Sequence, residues 1–264
     1  MSLMCKSCSK AVLNKKFNIK LNCHDDLVIA LAGNPNVGKS TVFNALTGLN
    51  QHTGNWPGKT VENARGNYKH KDKKFVLVDL PGTYSLLANS VEEQVARDFI
   101  CFGKPNATIV VTDATCLERN LNLVLQVMEL TDKVILCVNL MDEAKRKKIK
   151  VDIKGLEKEL GIPVVGTTAR SGEGLQELMD QVYEIALGFQ TTSPRPLVYT
   201  PDVEWKIEEL TPKLVELLEG KLNPRWVALR LIEGDPTILD SIRNFLYDDK
   251  DSNAQEEVAC IYEC

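Results

Sequence analysis

Nowhere in these 264 residues does an apolar run approach the ~18 residues that a bilayer-spanning helix needs. The N-terminus is polar and lacks the apolar core of a signal peptide. The chain as it stands therefore reads as soluble and cytosolic, with any membrane part lying outside it. Basic charge is not in excess either. The net charge is -4, which gives no sign of a nucleic-acid partner. Cysteine is present, at 8 residues, but the patterns that would give it a structural job are missing. Cys5-x-x-Cys8 has no second pair at finger spacing, so a metal site on Cys5, Cys8, Cys23 and His24 rests on a weak signal. Cys101, Cys116 and Cys137 lie in apolar patterns and read as small buried hydrophobes. Cys260 and Cys264 stand at the C-terminal tip. A disulfide framework is not expected in the reducing compartment this composition suits. The apolar fraction of 44% and charged fraction of 26% are ordinary for a globular protein.

Against those absences stands one strong motif. Gly33-Asn34-Pro35-Asn36-Val37-Gly38-Lys39-Ser40 matches G-x-x-x-x-G-K-[ST], a phosphate-binding loop. The apolar run Leu27 to Ala32 before it reads as a buried strand. Val42, Phe43, Leu46 and Leu49 after it recur at helical spacing, with Gly48 near the stop. Strand, glycine loop and helix start together turn backbone N–H groups toward an anion. Gly33, Asn34, Pro35, Asn36, Val37, Gly38, Lys39, Ser40 and Thr41 are the expected nucleotide contacts here. Lys39 would neutralise the β- and γ-phosphates, and the Ser40 hydroxyl would ligate Mg²⁺.

The rest of the chain alternates. Gly54-Asn55-Trp56-Pro57-Gly58-Lys59-Thr60 reads as a loop with an exposed Trp56. Val61 to Tyr68 and Phe75 to Val78 read as a hairpin whose basic tip, Lys69, Lys71, Lys73 and Lys74, is a solvated turn. The second hairpin strand ends in Asp79-Leu80-Pro81-Gly82, a D-x-x-G arrangement. Its carboxylate would reach Mg²⁺, usually through water, and its glycine amide would sense a γ-phosphate. Ser90 to Phe102 reads as a helix with Glu93 placed as in a capping box. Strands at Ala107 to Thr112, Val134 to Val138 and Pro163 to Thr167 alternate with helices at Leu121 to Leu130, Ile153 to Leu160 and Leu175 to Ile185. The basic cluster Lys145 to Lys148 is placed near a helix start. This is the pattern of an α/β protein with a largely parallel, doubly covered sheet of six strands. Ligands of such sheets sit at the carboxyl ends of the strands. Four segments follow: an N-terminal extension over 1–25, loosely packed or mobile; a nucleotide-binding domain over 26–190; a helical subdomain over 191–248, entered through a proline-bearing connection; and an acidic tail over 249–264.

The base-reading residues decide which nucleotide. Guanine offers N1–H and N2–H₂ on one edge, and a carboxylate accepts both; adenine has no such pair. Asp142 supplies the carboxylate, Asn139 can bond the O6/N7 side and brace the phosphate loop, and Met141 lies between. Thr168-Ala169-Arg170 would add a backbone N–H to O6. Leu140 stands where lysine is usual, which removes a cation over the base. With a phosphate loop, a loop threonine, D-x-x-G, N-x-x-D and T-A-R in order, the domain reads as a GTPase that binds GTP or GDP.

The loop Gly33 to Ser40, the stretch Gly54 to Glu62 and the run Asp79-Leu80-Pro81-Gly82-Thr83-Tyr84-Ser85-Leu86 together resemble the N-terminal G domain of bacterial ferrous-iron transport protein B. The resemblance extends over about Asp26 to Leu246 and includes the helical segment, there termed a guanine-nucleotide dissociation inhibitor domain. It implies a Ras-like P-loop GTPase fold with a small C-terminal all-helical subdomain, and a slow switch at the cytoplasmic face of the bacterial inner membrane that regulates iron passage. The implied partner is the membrane permease domain of the same transporter, with no nucleic acid and with homo-oligomerisation left open. Hydrolysis would rest on Lys39, Thr60, Gly82 and Asn36. Ser40, Thr60 and Asp79 would hold Mg²⁺. Asn36, with carbonyls of Gly54 and Trp56, would hold K⁺, because Thr83 replaces the usual water-positioning glutamine and switch I carries no evident arginine finger. The alternative is a ribosome- or RNA-associated GTPase of the Era or tRNA-modification type, whose usual appendage is basic where this one is acidic.

Overall fold

Leu27–Gly33 carries no charged residue and becomes the central strand β1, with six of its seven residues buried. The computed structural model describes residues 13, 16–19, 21, 26–48, 51–87 and 90–247. Cys5, Cys8, Cys23, His24 and the acidic tail lie outside the described residues. The chain divides into two units, one over Leu13–Pro196 and one that begins at Leu197.

The first unit is built on one sheet. Its strands are β1, β2 (Gln51–Asn55), β3 (Glu62–His70), β4 (Lys73–Asp79), β5 (Ala107–Asp113), β6 (Val134–Asn139) and β7 (Val164–Gly166). Their spatial order is β2-β3-β4-β1-β5-β6-β7. The strands β4, β1, β5, β6 and β7 run parallel, and β2 and β3 fold back as an antiparallel edge. The sheet thus has seven described strands rather than six. The extra one, Gln51–Asn55, is polar throughout and carries no apolar alternation, so only its ladder with β3 reveals it.

Among the described residues, this unit carries the helices α1 (Lys39–Thr47), α2 (Val91–Gly103), α3 (Leu117–Leu130), α4 (Met141–Arg146), α5 (Ile153–Leu160) and α6 (Leu175–Ala186). Ile29 and Leu31 of β1 join Val42 and Phe43 of α1 and Leu178 and Val182 of α6 in one core. Val28 and Ala30 on the other face of β1 are equally buried, as expected of a parallel strand covered on both sides. Caps set the helix starts. The Ser90 hydroxyl accepts from the Glu93 amide at the head of α2, and Asp152 accepts from the Gly155 amide at the head of α5. The Glu93 carboxylate is held by the Ser85 hydroxyl.

Four local expectations are corrected. Trp56 is 3% exposed, because Phe17 and Phe99 close over it. The described part of the N-terminal extension is not loose: Leu13, Phe17 and Ile19 are buried. The basic turn docks on α6, where Lys71 pairs with Asp180 at 3.0 Å and lies over the Tyr183 ring. The cluster Lys145 to Lys148 falls at the C-terminus of α4, where cations complement the helix dipole. Cys101 and Cys137 are core residues as expected, whereas Cys116 is half-buried ahead of α3.

The second unit is helical over its described residues: α7 (Pro201–Leu218), α8 (Pro224–Glu233) and α9 (Pro236–Tyr247). Each begins with proline, which suits a first helical position whose N–H has no partner. Arg225 ties the unit together. Its guanidinium donates to both Glu204 oxygens at 2.9 and 2.7 Å and to the Leu197 carbonyl at 2.7 Å. No helix among the described residues is long and apolar enough to cross a membrane.

Candidate nucleotide-binding site

Every strand that carries a motif ends at the same side of the sheet. β1 runs into the phosphate loop, β4 ends at Asp79, β6 ends at Asn139, and the residues after β7 include Thr168 to Arg170. β3 runs opposite to β4, so Thr60, just ahead of β3, lies at that side too. The parallel ladder therefore brings together segments more than a hundred residues apart in sequence.

The phosphate loop needs its glycines for stated reasons. Gly38 has φ +80, and a Cβ there would meet the Asn139 Nδ2 at 2.5 Å. A Cβ on Gly33 would meet the Val111 carbonyl at 2.6 Å. Asn36 is itself in the left-handed region, a conformation that asparagine tolerates better than most residues. Lys39 is 9% exposed and its ammonium bonds the Asp79 carboxylate and, at 2.6 Å, the Leu80 carbonyl. Burial raises the Asp79 carboxyl above its ordinary range, and the Lys39 ammonium opposes that rise without cancelling it. Ser40 and Thr41, at the head of α1, are exposed. Asn34 is 1% exposed, and both polar atoms of its amide are without a partner.

The D-x-x-G segment leans on the phosphate loop. The Thr83 amide donates to the Gly33 carbonyl at 3.2 Å, and a Cβ on Gly82 would sit 3.4 Å from the Pro35 Cα. Thr83 is buried, whereas Gly82 is exposed.

Asn139 joins the phosphate loop to the base loop. It is 1% exposed. Its Nδ2 donates to the Val37 carbonyl at 3.1 Å. Its Oδ1 accepts from the Ala169 amide at 3.1 Å and from the Thr167 hydroxyl at 3.2 Å. The asparagine is thus engaged as a brace. Thr167 is a positioning residue that the sequence reading passed over, although its place just ahead of Thr168 was the available signal. Leu140 takes φ +63, which turns the chain from β6 into α4. The Met141 amide then donates to the Thr167 carbonyl at 3.1 Å. Asp142 lies exposed in the first turn of α4, Thr168 and Ala169 are buried, and Arg170 is exposed.

Gly54 and Trp56 are not gathered with these residues, with which Thr60 shares only the side of the sheet. Gly54 is in β2, opposite Asn63, at the outer edge of the sheet. That edge is three strands from β1, or roughly 14 Å at ~4.8 Å per strand. The Trp56 carbonyl accepts from the Lys59 amide, and the Trp56 amide donates to the Val61 carbonyl at 2.9 Å. Thr60 is exposed in the turn between. Cys137, behind the base loop, is fully buried, which pushes its thiol up to about 12, and it contacts the Thr167 hydroxyl. It is no nucleophile.

Phosphate loop, D-x-x-G segment and braced base loop on a sheet of this order define a G domain of the P-loop GTPase class. Comparison with known proteins gives the family. A family model described as "Ferrous iron transport protein B" matches residues 27–182, and one described as "FeoB cytosolic helical domain" matches residues 199–263. The Fe(2+) transporter FeoB of Methanocaldococcus jannaschii is 44% identical over 217 residues, which cover 82% of this chain and 32% of that protein. The cytosolic domain of the T. maritima FeoB iron transporter in its apo form is similar at a TM-score of 0.75 and 40% identity, covering 86% of this chain and 89% of that one. Its GMPPNP form gives a TM-score of 0.74 at 40% identity, with 88% and 89% covered. The chain belongs to the ferrous iron transport protein B family. It spans between 26% and 32% of the length of the first curated relatives it matches. Family membership sets aside the RNA-associated alternative.

Proposed function

We propose that this chain binds GTP, hydrolyses it slowly to GDP and phosphate, and acts as the nucleotide switch of a ferrous-iron transporter whose membrane permease it regulates from the cytoplasmic face. The observation that carries the reading is the Asn139 brace, which couples a phosphate loop to a loop set for a guanine edge. Supporting it, the T. maritima domain is described in GDP and GMPPNP forms.

Lys39 and the amides of the phosphate loop would hold the phosphates, with Lys39 leaving the Leu80 carbonyl for phosphate oxygens. The Gly82 amide would report a γ-phosphate. Asp142 would accept from the guanine N1–H and N2–H₂. Ser40, Thr60 and Asp79 are hard oxygen donors that would hold Mg²⁺, which would supply positive charge to offset that of the phosphates. Asn36, with carbonyls of Gly54 and Trp56, would hold K⁺, which would add positive charge beside the phosphates; that set assembles only if the edge hairpin folds inward. The short Thr83 side chain cannot orient water as a glutamine does, so turnover should be slow. Phosphate release from GTP in the presence of Mg²⁺ tests the proposal. It should be measurable for the unmutated chain and lost in Lys39→Ala. Release that Lys39→Ala leaves unchanged would refute the assignment.

A further inference from the structure

Trp56 is the one large apolar residue between Gly54 and Thr60, and it is not free to move. Its ring meets the Phe17 ring at 6.0 Å and 89°, and the Phe99 ring at 5.4 Å and 64°. Phe17 and Phe99 close the triangle at 5.1 Å and 76°. All three contacts are edge-to-face, the arrangement aromatic pairs favour. Phe99 belongs to α2, whereas Phe17 comes from the segment ahead of β1.

That segment is seated on two elements. Leu13 and Phe17 press on the end of α2 so closely that a Cβ on Gly103 would meet the Leu13 Cδ2 at 3.2 Å and the Phe17 Cε2 at 3.4 Å. Arg65 of β3 donates to the Asn18 carbonyl at 2.7 Å. The Ile19 amide donates to the Leu13 carbonyl at 3.0 Å, which ties these two buried residues together. The segment therefore grips the hairpin from one side and α2 from the other. The pairing of Trp56 with Val61 then closes the loop that carries Thr60.

A switch that captures a γ-phosphate must undo this. For Thr60 to turn inward and for Gly54 and Trp56 to leave the sheet edge, the bond between Trp56 and Val61 and the pairing of Asn55 with Glu62 must open. A ligand shifts a two-state element only by its differential affinity for the two states. Any contact that favours the hairpin therefore lowers affinity for the triphosphate relative to the diphosphate.

We propose that Phe17 is a positioning residue that latches the Gly54–Thr60 segment in its hairpin through Trp56, so that the segment ahead of β1 biases the chain toward GDP. The proposal rests on the GTP-switch reading above. The latch makes the N-terminal segment a point of control, because whatever lifts Phe17 off Trp56 frees the switch. Phe17 belongs to neither the phosphate loop nor the base loop and packs on Trp56 and Phe99, so its effect is on preference between nucleotides and not on binding as such.

The test measures the dissociation constants of fluorescent GDP and fluorescent GMPPNP for the full chain and its variants. Phe17→Ala should move the preference toward GMPPNP by about tenfold, equivalent to ~1.4 kcal/mol. GDP affinity should stay within about twofold. Phe17→Tyr keeps the ring and should restore the unmutated preference. Arg65→Gln removes the bond to Asn18 and should shift preference in the same direction by a smaller factor, which carries the test should Phe17→Ala not fold. Normal GDP binding with an unchanged preference in both Phe17→Ala and Arg65→Gln would overturn the latch alone. Failure of the unmutated chain to bind either nucleotide would overturn the GTP reading, and the latch with it.

Discussion

Asn139→Ala is the most informative single change in the nucleotide site. The substitution deletes one donor and one acceptor and strands two groups, the Val37 carbonyl and the Ala169 amide, while the Thr167 hydroxyl keeps only its contact with the Cys137 Sγ. Thr167 and Ala169 are buried with Asn139 itself, so no bulk water reaches them freely. Each stranded buried group costs about 1–3 kcal/mol. Effects within one network do not add in full, so a total of about 2–5 kcal/mol is expected. For a unit of this size 1 kcal/mol corresponds to about 2–4 °C in Tm. The nucleotide-free variant should therefore melt roughly 5–15 °C lower, and GDP affinity should fall tenfold or more as the two loops lose register, about 1.4 kcal/mol or more. Asn139→Asp should cost at least as much as Asn139→Ala at neutral pH, because it keeps both accepted bonds but sets a buried carboxylate oxygen against the Val37 carbonyl. Thermal melting without nucleotide, paired with calorimetric GDP binding, measures both effects. A nucleotide-free Tm unchanged in Asn139→Ala, with affinity nonetheless lost, would refute the brace: Asn139 would then act on the ligand alone.

Other substitutions probe separate parts of the account. Asp142→Asn should weaken GTP binding by about 1–3 kcal/mol and favour xanthosine triphosphate, whose edge is complementary; no gain for the xanthine nucleotide would remove Asp142 from the base. GTP hydrolysis should run faster in K⁺ than in Na⁺ at equal ionic strength, and Asn36→Ala should abolish the difference while leaving GDP binding largely intact; equal rates in the two salts would delete the cation site. In the helical unit, the Arg225 hydrogen bonds and then the Tyr199 amide lower the Glu204 carboxyl to about 2. A carboxyl lowered on folding stabilises above its unfolded pKa near 4.5 and loses that contribution as pH falls toward 2. Arg225→Met should therefore lower stability at neutral pH, and the gap to the unmutated chain should close between pH 4.5 and 2. A gap that persists at the acid end would show that Arg225 acts through its bond to Leu197 instead.

The site was legible where chemistry dictates local residue types. A phosphate loop, an Asp at a strand end and an Asn and Asp three apart are short patterns, and the alternation of apolar strands with helices placed them at one end of a parallel sheet. What escaped was decided by long-range contact. Trp56 sits among glycine, asparagine and proline, which read as an exposed loop; its burial comes from Phe17 and Phe99, distant in sequence on both sides. Gln51–Asn55 became a strand through its ladder with β3, because five polar residues carry no alternation of their own. Lys71 found partners on α6, a helix that begins more than a hundred residues later. The network around Thr167 was missed for a different reason: a threonine at a strand end is common, and only the closeness of the Asn139 Oδ1 gives it a task.

The central claim is that this site reads guanine and hydrolyses its triphosphate. Parallel titrations with GTP and ATP in the presence of Mg²⁺, each followed by phosphate release, test it most directly. The account predicts that GTP binds and is turned over slowly, while ATP binds at least about a hundredfold more weakly, a difference near 2.7 kcal/mol, because adenine leaves the Asp142 carboxylate without its donors. Comparable affinity for ATP, or no phosphate released from saturating GTP, would contradict it.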